Sequence, residues 1–328
     1  MVLAHNQGEE LIAVQLAANL TLERLYFENN TNLRTNQAVC LSFSAFLPVS
    51  IAILDSFFIS NIGFQNTIAK VVGIMNFTLV NVVCIGNTAQ GTSAGVVISP
   101  YTQGNSYVEV RNCRFEGNSA RSNGVVSIID SIGEVFSQAT WIQLKVTGCV
   151  FEGNLARFAG SSVTISGFIV LHAASEISDT QFRNNSCTNG GAALHAQGFQ
   201  TSLEDLDFSR KATLSLYSCS FHSNFGTSAV NIADCAFQLA TLSCLFSQSI
   251  SLSAPVRVSH GYWTDTASLF LANSGQEAGA ALLTDSTSFL GSGTVFRRNW
   301  SRDGGGGMSI WKNSTGNYSA CVFEGNGV

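Results

Sequence analysis

The chain has 328 residues, of which 45% are hydrophobic and only 11% are charged, and its formal net charge is −5. This composition excludes intrinsic disorder, which requires low hydrophobicity and high net charge. It also lacks the basic runs that give a nucleic-acid-binding surface its electrostatic footprint. The length is large for a single ordinary core, but a solenoid grows by stacking turns without enlarging its core.

The first part of the chain contains no basic region followed by an apolar region, so residues 1–14 do not read as a signal peptide. The segment from Thr35 to Leu54 carries no charge and is long enough to span a bilayer. It also contains Pro48 and several polar residues, and it keeps the register of the repeat described next. Two buried strands are therefore favoured over a transmembrane helix.

A six-residue motif recurs eleven times: a small or apolar residue, any residue, Phe, any two residues, then Asn. Successive Phe positions are as close as 24 residues, which is about what one turn of a three-sided coil requires. The copies, two of which are degenerate, are LYFENN (25–30), SFFISN (56–61), VVCIGN (82–87), CRFEGN (113–118), CVFEGN (149–154), TQFRNN (180–185), CSFHSN (219–224), CLFSQS (244–249), SLFLAN (268–273), TVFRRN (294–299) and CVFEGN (321–326).

The repeat predicts an all-β solenoid with parallel strands. Alternation of apolar and polar residues over 108–115 has the period of a strand, and small residues leading into a β-branched run follow most copies. We therefore expect a single β-helix domain over residues 1–328 with about 11 turns. Longer steps predict loop insertions near 130–145 and 197–212.

Equivalent residues of successive turns should lie about 4.8 Å apart, so Phe should stack on Phe inside the coil and Asn on Asn at a corner. The inference is clearest for the scaffold residues Phe115, Asn118, Phe151, Asn154, Phe182, Asn185, Phe221, Asn224, Phe323 and Asn326.

The motif resembles the repeat of the chlamydial polymorphic outer-membrane proteins, Phe-x-x-Asn followed by Gly-Gly-Ala and an aliphatic residue. The stretch FRNNSCTNGGAAL at 182–194 carries both halves. The resemblance covers roughly residues 25–328 and implies a right-handed β-helix like that of the pectin-lyase-like superfamily. In the bacterial family such a helix is a surface passenger used in adhesion, and we expect no counterpart of the family's C-terminal membrane barrel within residues 1–328.

The chain ends inside a repeat unit, at CVFEGNGV, and begins with strands entering a turn. Open ends of a β-helix expose unpaired backbone and apolar side chains. We therefore expect the sequence to be a segment of a longer polypeptide, or flanking domains or neighbouring subunits to cover its ends.

Five of the nine cysteines, at positions 113, 149, 219, 244 and 321, occupy the first position of the motif, where other copies have Ser or Thr. This pattern favours buried thiols, although cross-turn disulfides such as Cys113–Cys149 stay open. The scattered His and Cys predict no metal site. Glycosylation sequons occur at Asn19, Asn29, Asn76, Asn184, Asn299, Asn313 and Asn317.

Catalytic chemistry has weak support in the sequence. Glycoside hydrolases use paired carboxylates, and the best cluster contains Asp205 and Asp207 in the longest insertion, where a solvated loop is the simpler interpretation. His260-Gly261 resembles a polygalacturonase dipeptide, without the other residues of that site. No cofactor is expected. Aromatic side chains outside the motif could instead stack on sugars; the candidates are Trp141, Trp263, Trp311 and Tyr262.

Three functions remain as hypotheses. The first is a non-enzymatic extracellular or cell-surface scaffold for adhesion, recognition or assembly, with carbohydrate or protein as partner and no nucleic acid. The second is a polysaccharide-active lyase or hydrolase, for which the residues argue less well. The third is a structural spacer in a filament or surface array.

Overall fold

The computed structural model describes residues 1–6, 11–16, 18–32, 40–45, 49–100, 105–129, 140–167, 169–171, 175–198, 212–233 and 237–328. Throughout these residues the fold is all-β and the strands pair in parallel, forming a β-solenoid. The predicted class, an all-β solenoid with parallel strands, is confirmed. In the described part of the chain no helix is long and apolar enough to cross a membrane. The segment checked for a membrane helix contributes strands Leu41–Ala45 and Ser50–Leu54.

Three sheets run along the solenoid. Sheet 1 has twelve strands, one for each motif copy and one more at the N-terminal end. They are Val2–Ala4, Tyr26–Glu28, Phe57–Ile59, Val83–Ile85, Arg114–Glu116, Val150–Glu152, Gln181–Arg183, Ser220–His222, Leu245–Ser247, Leu269–Leu271, Val295–Arg297 and Val322–Glu324.

Sheet 2 has nineteen strands and contains most of the second half of each repeat. Its short strands directly follow the motif Asn, and its longer strands hold the β-branched runs. They are Ile12–Leu16, Thr31–Asn32, Leu41–Ala45, Ile62–Gly63, Ala69–Ile74, Thr88–Ala89, Val96–Pro100, Ser119–Ala120, Val126–Ile129, Leu155–Phe158, Val163–Gly167, Ser186–Gly198, Phe225–Ala233, Ile250–Ser251, Val256–Ser259, Ser274–Gly275, Ala281–Thr284, Trp300–Ser301 and Met308–Ile310.

Sheet 3 completes each turn and has twelve strands, one of which, Ile169–Leu171, pairs beside the main path. The others are Leu20–Glu23, Ser50–Leu54, Asn76–Val80, Asn105–Arg111, Thr140–Thr147, Ser175–Ser178, Ala212–Tyr217, Phe237–Leu242, Tyr262–Thr266, Ser288–Ser292 and Thr315–Ser319.

A column of phenylalanine rings fills the interior behind sheet 1. Phe115, Phe151, Phe182 and Phe221 pair in register, with ring centroids 4.9–5.0 Å apart and planes nearly parallel. Each of these rings is fully buried. Cys84 interrupts the column, as its degenerate copy predicts, and is itself fully buried. The spacing is that of neighbouring strands, so the motif Phe marks one step of the coil.

The motif asparagines form a buried hydrogen-bond ladder at the corner after sheet 1. The Nδ2 group of Asn154 donates to the Phe115 carbonyl at 3.0 Å and to Asn185 Oδ1 at 3.1 Å. Its Oδ1 accepts from the backbone N–H and the Nδ2 group of Asn118. The side chain is fully buried. Each ladder amide therefore satisfies itself and two neighbouring turns, which explains why the position is so restricted.

The structure adds a motif copy that the sequence analysis missed. Leu3 pairs in register with Phe27, and Asn6 donates to Asn30 Oδ1 at 3.0 Å. The segment VLAHN therefore occupies a ladder position, with Leu3 in the place of Phe. The pattern does not identify this copy because Leu3 stands where the motif has Phe.

The first motif position forms a second ladder, which explains why Cys, Ser and Thr exchange there. Thr180 Oγ1 donates to the Ser178 carbonyl and accepts the Cys149 N–H, while Cys149 Sγ accepts the Cys113 N–H at 3.5 Å. Cys113 and Cys149 are buried, and a side-chain hydrogen bond with Cys149 together with burial raises the pKa of the Cys113 thiol. The eight described cysteines are free thiols, and Cys235 lies outside the described residues.

Two residues with positive φ bracket each strand of sheet 1 from Tyr26–Glu28 onward. The residue before the ladder Asn has φ between +51° and +63°, as at Asn29, Gly153 and Ala272. The residue three before the Phe is also positive, as at Gly148 and Ala267. A residue with a Cβ is strained in this region, so the recurring Gly-Asn of the motif suits the corner, and copies with another residue there, such as Ala272, adopt it at a cost.

Replacing Ala272 by Gly should therefore stabilise the protein by up to about 1 kcal/mol, because it removes left-handed strain at an exposed residue. Chemical denaturation checks the change. The matched control is Ala13→Gly in strand Ile12–Leu16, which should destabilise by about 0.5–1 kcal/mol. If both variants lose stability equally, the corner is not strained.

Candidate functional site

A polar groove crosses successive turns on the outer face of sheet 2 and has a volume of about 400 Å³. Its floor is formed by His195, Asn231 and Arg257, which pair in register on three neighbouring strands. Gln197 and Ser259 lie along one side, and Asp285 also lines the groove. The remaining lining residues are Asn189, Gly190, Thr227 and Ala233.

The groove floor is more deeply buried than an ordinary surface. His195 and Asn231 are each 5% exposed, and Asn231 Nδ2 lies 3.0 Å from His195 Nδ1. With the amide donating, Nδ1 accepts and the ring proton is on Nε2. Asn231 Oδ1 is buried without a hydrogen-bond partner among the described residues. A buried acceptor without a donor costs roughly 1–3 kcal/mol, so this atom is poised to gain from a ligand.

Arg257 places a positive charge at one end of the groove floor. Arg257 is half-buried, and among the ion pairs of the described residues it has no carboxylate partner. Asp285 is already paired, since Lys312 Nζ lies 2.9 Å from its carboxylate, and this contact holds the pKa of Asp285 below its usual range. Burial, with a smaller contribution from Arg257, lowers the pKa of His195 to about 4.

The depressed pKa of His195 predicts a loss of stability in acid. Its folded pKa, about 4, lies below its ordinary value of 6.5, so the unfolded chain takes up this proton first. The contribution is complete above pH 6.5 and is lost as the pH falls toward 4, by up to about 3 kcal/mol. Denaturant titrations across this range should show a slope that is absent in His195→Gln.

Asp265 changes the pH dependence of stability in the opposite direction over the acidic range. Burial raises the pKa of its carboxyl, so the folded state holds that proton more tightly than the unfolded state. Asp265 is unchanged in His195→Gln, so the difference between the two proteins isolates the histidine. Identical pH slopes would contradict a buried neutral His195.

A second depression, of about 430 Å³, lies on the outer face of sheet 3. Tyr262 and Leu290 are each 54% exposed, and Thr264, Thr315 and Asn317 place polar groups beside them. The depression therefore combines an exposed ring with hydroxyl and amide groups, an arrangement suited to a polar ligand with an apolar face.

The predicted binding aromatics do not share one site. Tyr262 lies in the depression on sheet 3, and Trp311 is 37% exposed. Trp263 also lines this depression, but its ring is fully buried, packs on Phe289 and donates from Nε1 to Thr241 Oγ1, so its face is covered by the protein itself. Trp263 follows Tyr262 in the strand, so the alternation that exposes one ring buries the other. The side chain of Trp141 lies outside the described residues.

The glycosylation candidates also divide. Asn19, Asn29, Asn184, Asn313 and Asn317 are exposed, and Asn76 is half-buried. The prediction for Asn299 is wrong, because this residue is 1% exposed and belongs to the asparagine ladder, where its Nδ2 donates to Phe270 and Asn326. A glycan there is incompatible with the folded corner.

The carboxylate candidates Asp205 and Asp207 lie outside the described residues, as do most of the insertions at 130–145 and 197–212. Within the described residues, no cluster of His, Cys, Asp and Glu could hold a metal ion. The sheet 2 groove was not predicted from the sequence. His195, Asn231 and Arg257 follow their motif Asn or Ser at different distances, so their alignment depends on strand register that spacing alone does not give.

Comparison of the chain with protein families, with curated proteins and with solved structures finds no match.

Proposed function

We propose that this protein is a non-enzymatic scaffold, extracellular or at a cell surface, that presents outward side chains for adhesion and recognition. The observation that carries the proposal is the separation of scaffold residues, which point inward, from candidate binding residues, which point outward. Inward positions are occupied by the Phe column and the two ladders, while binding-type groups such as Tyr262 lie on the outer face of sheet 3 in the same turns of the solenoid. Each turn is hydrogen-bonded to the turns on both sides of it, so the backbone that carries such groups is fixed before a ligand arrives. This lowers the entropic cost of binding.

Two further features support this function. The repeat resembles that of the chlamydial polymorphic outer-membrane proteins, whose solenoid is a surface passenger, and FRNNSCTNGGAAL at 182–194 carries the resemblance. Exposed sequons at Asn29 and Asn184 are compatible with a secreted glycoprotein. On this proposal the chain belongs to the right-handed, pectin-lyase-like β-helices and needs no cofactor.

The test is retention of the purified protein on intact cells and on immobilised neutral oligosaccharides. Tyr262→Ala should reduce retention at least tenfold, because the exposed ring supplies the apolar contact. Tyr217→Ala is the matched control, since Tyr217 is 45% exposed at the end of another strand of sheet 3. Absence of retention on both surfaces, or equal retention of all three proteins, would contradict the proposal.

A further inference from the structure

The sheet 2 groove and the sheet 3 depression differ in chemistry. The depression offers the ring of Tyr262, whereas the described lining of the groove contains no Trp, Tyr or Phe. A sugar ring would therefore find no aromatic surface in the groove. The groove instead offers a guanidinium, amides, hydroxyls and an unpartnered carbonyl oxygen.

Arg257 determines the charge of the ligand. Arg257 is half-buried at one end of the floor, one strand from Asn231 and two strands from the neutral His195. Among the described lining residues the one acidic side chain, Asp285, is paired with Lys312 and receives a hydrogen bond from Thr284 Oγ1 at 2.9 Å. Arginine forms bidentate hydrogen bonds with carboxylates, and partial burial strengthens them.

Asn231 determines a second property of the ligand, which must carry a hydrogen-bond donor. Its Oδ1 is a buried acceptor with no donor, and its amide can turn because the terminal torsion of Asn is broad. The ligand therefore needs a hydrogen-bond donor about one strand spacing, roughly 4.8 Å, from its carboxylate. A peptide meets this need, because its backbone N–H groups are donors and an Asp or Glu side chain reaches beyond them.

The size of the groove sets the length of the ligand. The floor spans three neighbouring strands, about 10 Å, and an extended peptide covers that distance with roughly three residues. A volume of about 400 Å³ is in the range of small-ligand pockets.

We propose that the sheet 2 groove binds a short acidic peptide segment, with the carboxylate on Arg257 and a backbone N–H on Asn231. This inference rests on the proposed recognition function but uses a surface separate from Tyr262. A recognition protein that works through Tyr262 alone would pass the retention test and fail the test below, so the two failures are distinguishable.

Isothermal titration of the whole chain with N-acetyl-Gly-Glu-Gly-amide tests the proposal. Binding is expected with a dissociation constant on the order of 1 mM, and N-acetyl-Gly-Gln-Gly-amide should bind at least tenfold more weakly. Arg257→Gln should remove the preference for Glu, and Arg257→Glu should transfer it to N-acetyl-Gly-Lys-Gly-amide. Arg302→Gln is the control, since the Arg302 side chain is 72% exposed and away from the groove lining.

Thermal unfolding verifies that each Arg257 variant is folded, and the charge reversal keeps the test informative if one variant is weakened. The proposal is overturned if the Glu peptide does not bind at a peptide concentration tenfold above the expected dissociation constant of about 1 mM. So does equal binding of the Glu and Gln peptides. Sodium glucuronate that binds more tightly than the Glu peptide would overturn it in favour of a sugar acid.

Discussion

Replacing Phe151 by Ala should destabilise the protein by about 3–5 kcal/mol. The ring is fully buried and stacks on Phe115 at 4.9 Å and on Phe182 at 5.0 Å. Its removal leaves a cavity between two rings that neighbouring backbones hold in place, so little collapse can relieve the loss. Chemical denaturation followed by circular dichroism measures the change.

The control for Phe151 is Phe64→Ala, because Phe64 is 40% exposed and lies outside the ring column. It should change the free energy of unfolding by less than about 1 kcal/mol. In a solenoid the free energy is close to a sum over neighbouring turns, so the Phe151 variant should also broaden the transition. Similar small losses in both variants would show that the ring column does not carry the stability assigned to it.

Asn154→Ala should cost about 4 kcal/mol, because it leaves several buried polar groups without partners. The Phe115 carbonyl loses a donor, Asn185 Oδ1 loses one of its two donors and keeps only the backbone N–H of residue 154, and Asn118 loses the acceptor for its N–H and Nδ2 groups. A buried group left unsatisfied costs roughly 1–3 kcal/mol. The expected loss therefore exceeds that of a single ordinary hydrogen bond severalfold.

Asn154→Asp is the more discriminating change. It keeps an acceptor for Asn118 but places a carboxylate oxygen against the Phe115 carbonyl and Asn185 Oδ1, which are themselves acceptors. We expect it to be at least as destabilising as Asn154→Ala at neutral pH, and less so in acid, where the carboxyl can donate. Asn317→Ala, at an exposed Asn, should change stability by less than about 0.5 kcal/mol. If Asn154→Asp is as stable as the parent protein, the ladder hydrogen bonds are not as described.

Much of the scaffold could be predicted because it repeats. Phe151 and Asn154 recur at fixed spacing within a six-residue motif, and strands of period 2 around them leave one parallel arrangement. Stacking of like on like follows from that arrangement. The positive φ at Gly153 could have been inferred from the recurring Gly-Asn, but Ala272 at the same corner shows that the position also accepts other residues at a cost.

The binding surfaces could not be predicted to the same degree, because they depend on quantities that a motif does not carry. Tyr262 and Trp263 are adjacent and equally aromatic, and only the phase of the strand separates an exposed ring from a buried one. The groove needs the register of His195 with Asn231 and of Asn231 with Arg257, across turns of unequal length. Asn299 satisfies a sequon and a ladder position at once, and only burial decides between them.

The central claim is that motif residues couple only to their neighbours one turn away, and double-mutant cycles with Phe→Leu test it most directly. Phe151 and Phe182 are 31 residues apart in sequence but stack at 5.0 Å, so their coupling energy should be about 0.5–1.5 kcal/mol. Phe151 and Phe221 are two turns apart, and their coupling should be near zero. Comparable coupling in both pairs, or none in the first pair, would contradict the claim that the Phe column couples only neighbouring turns.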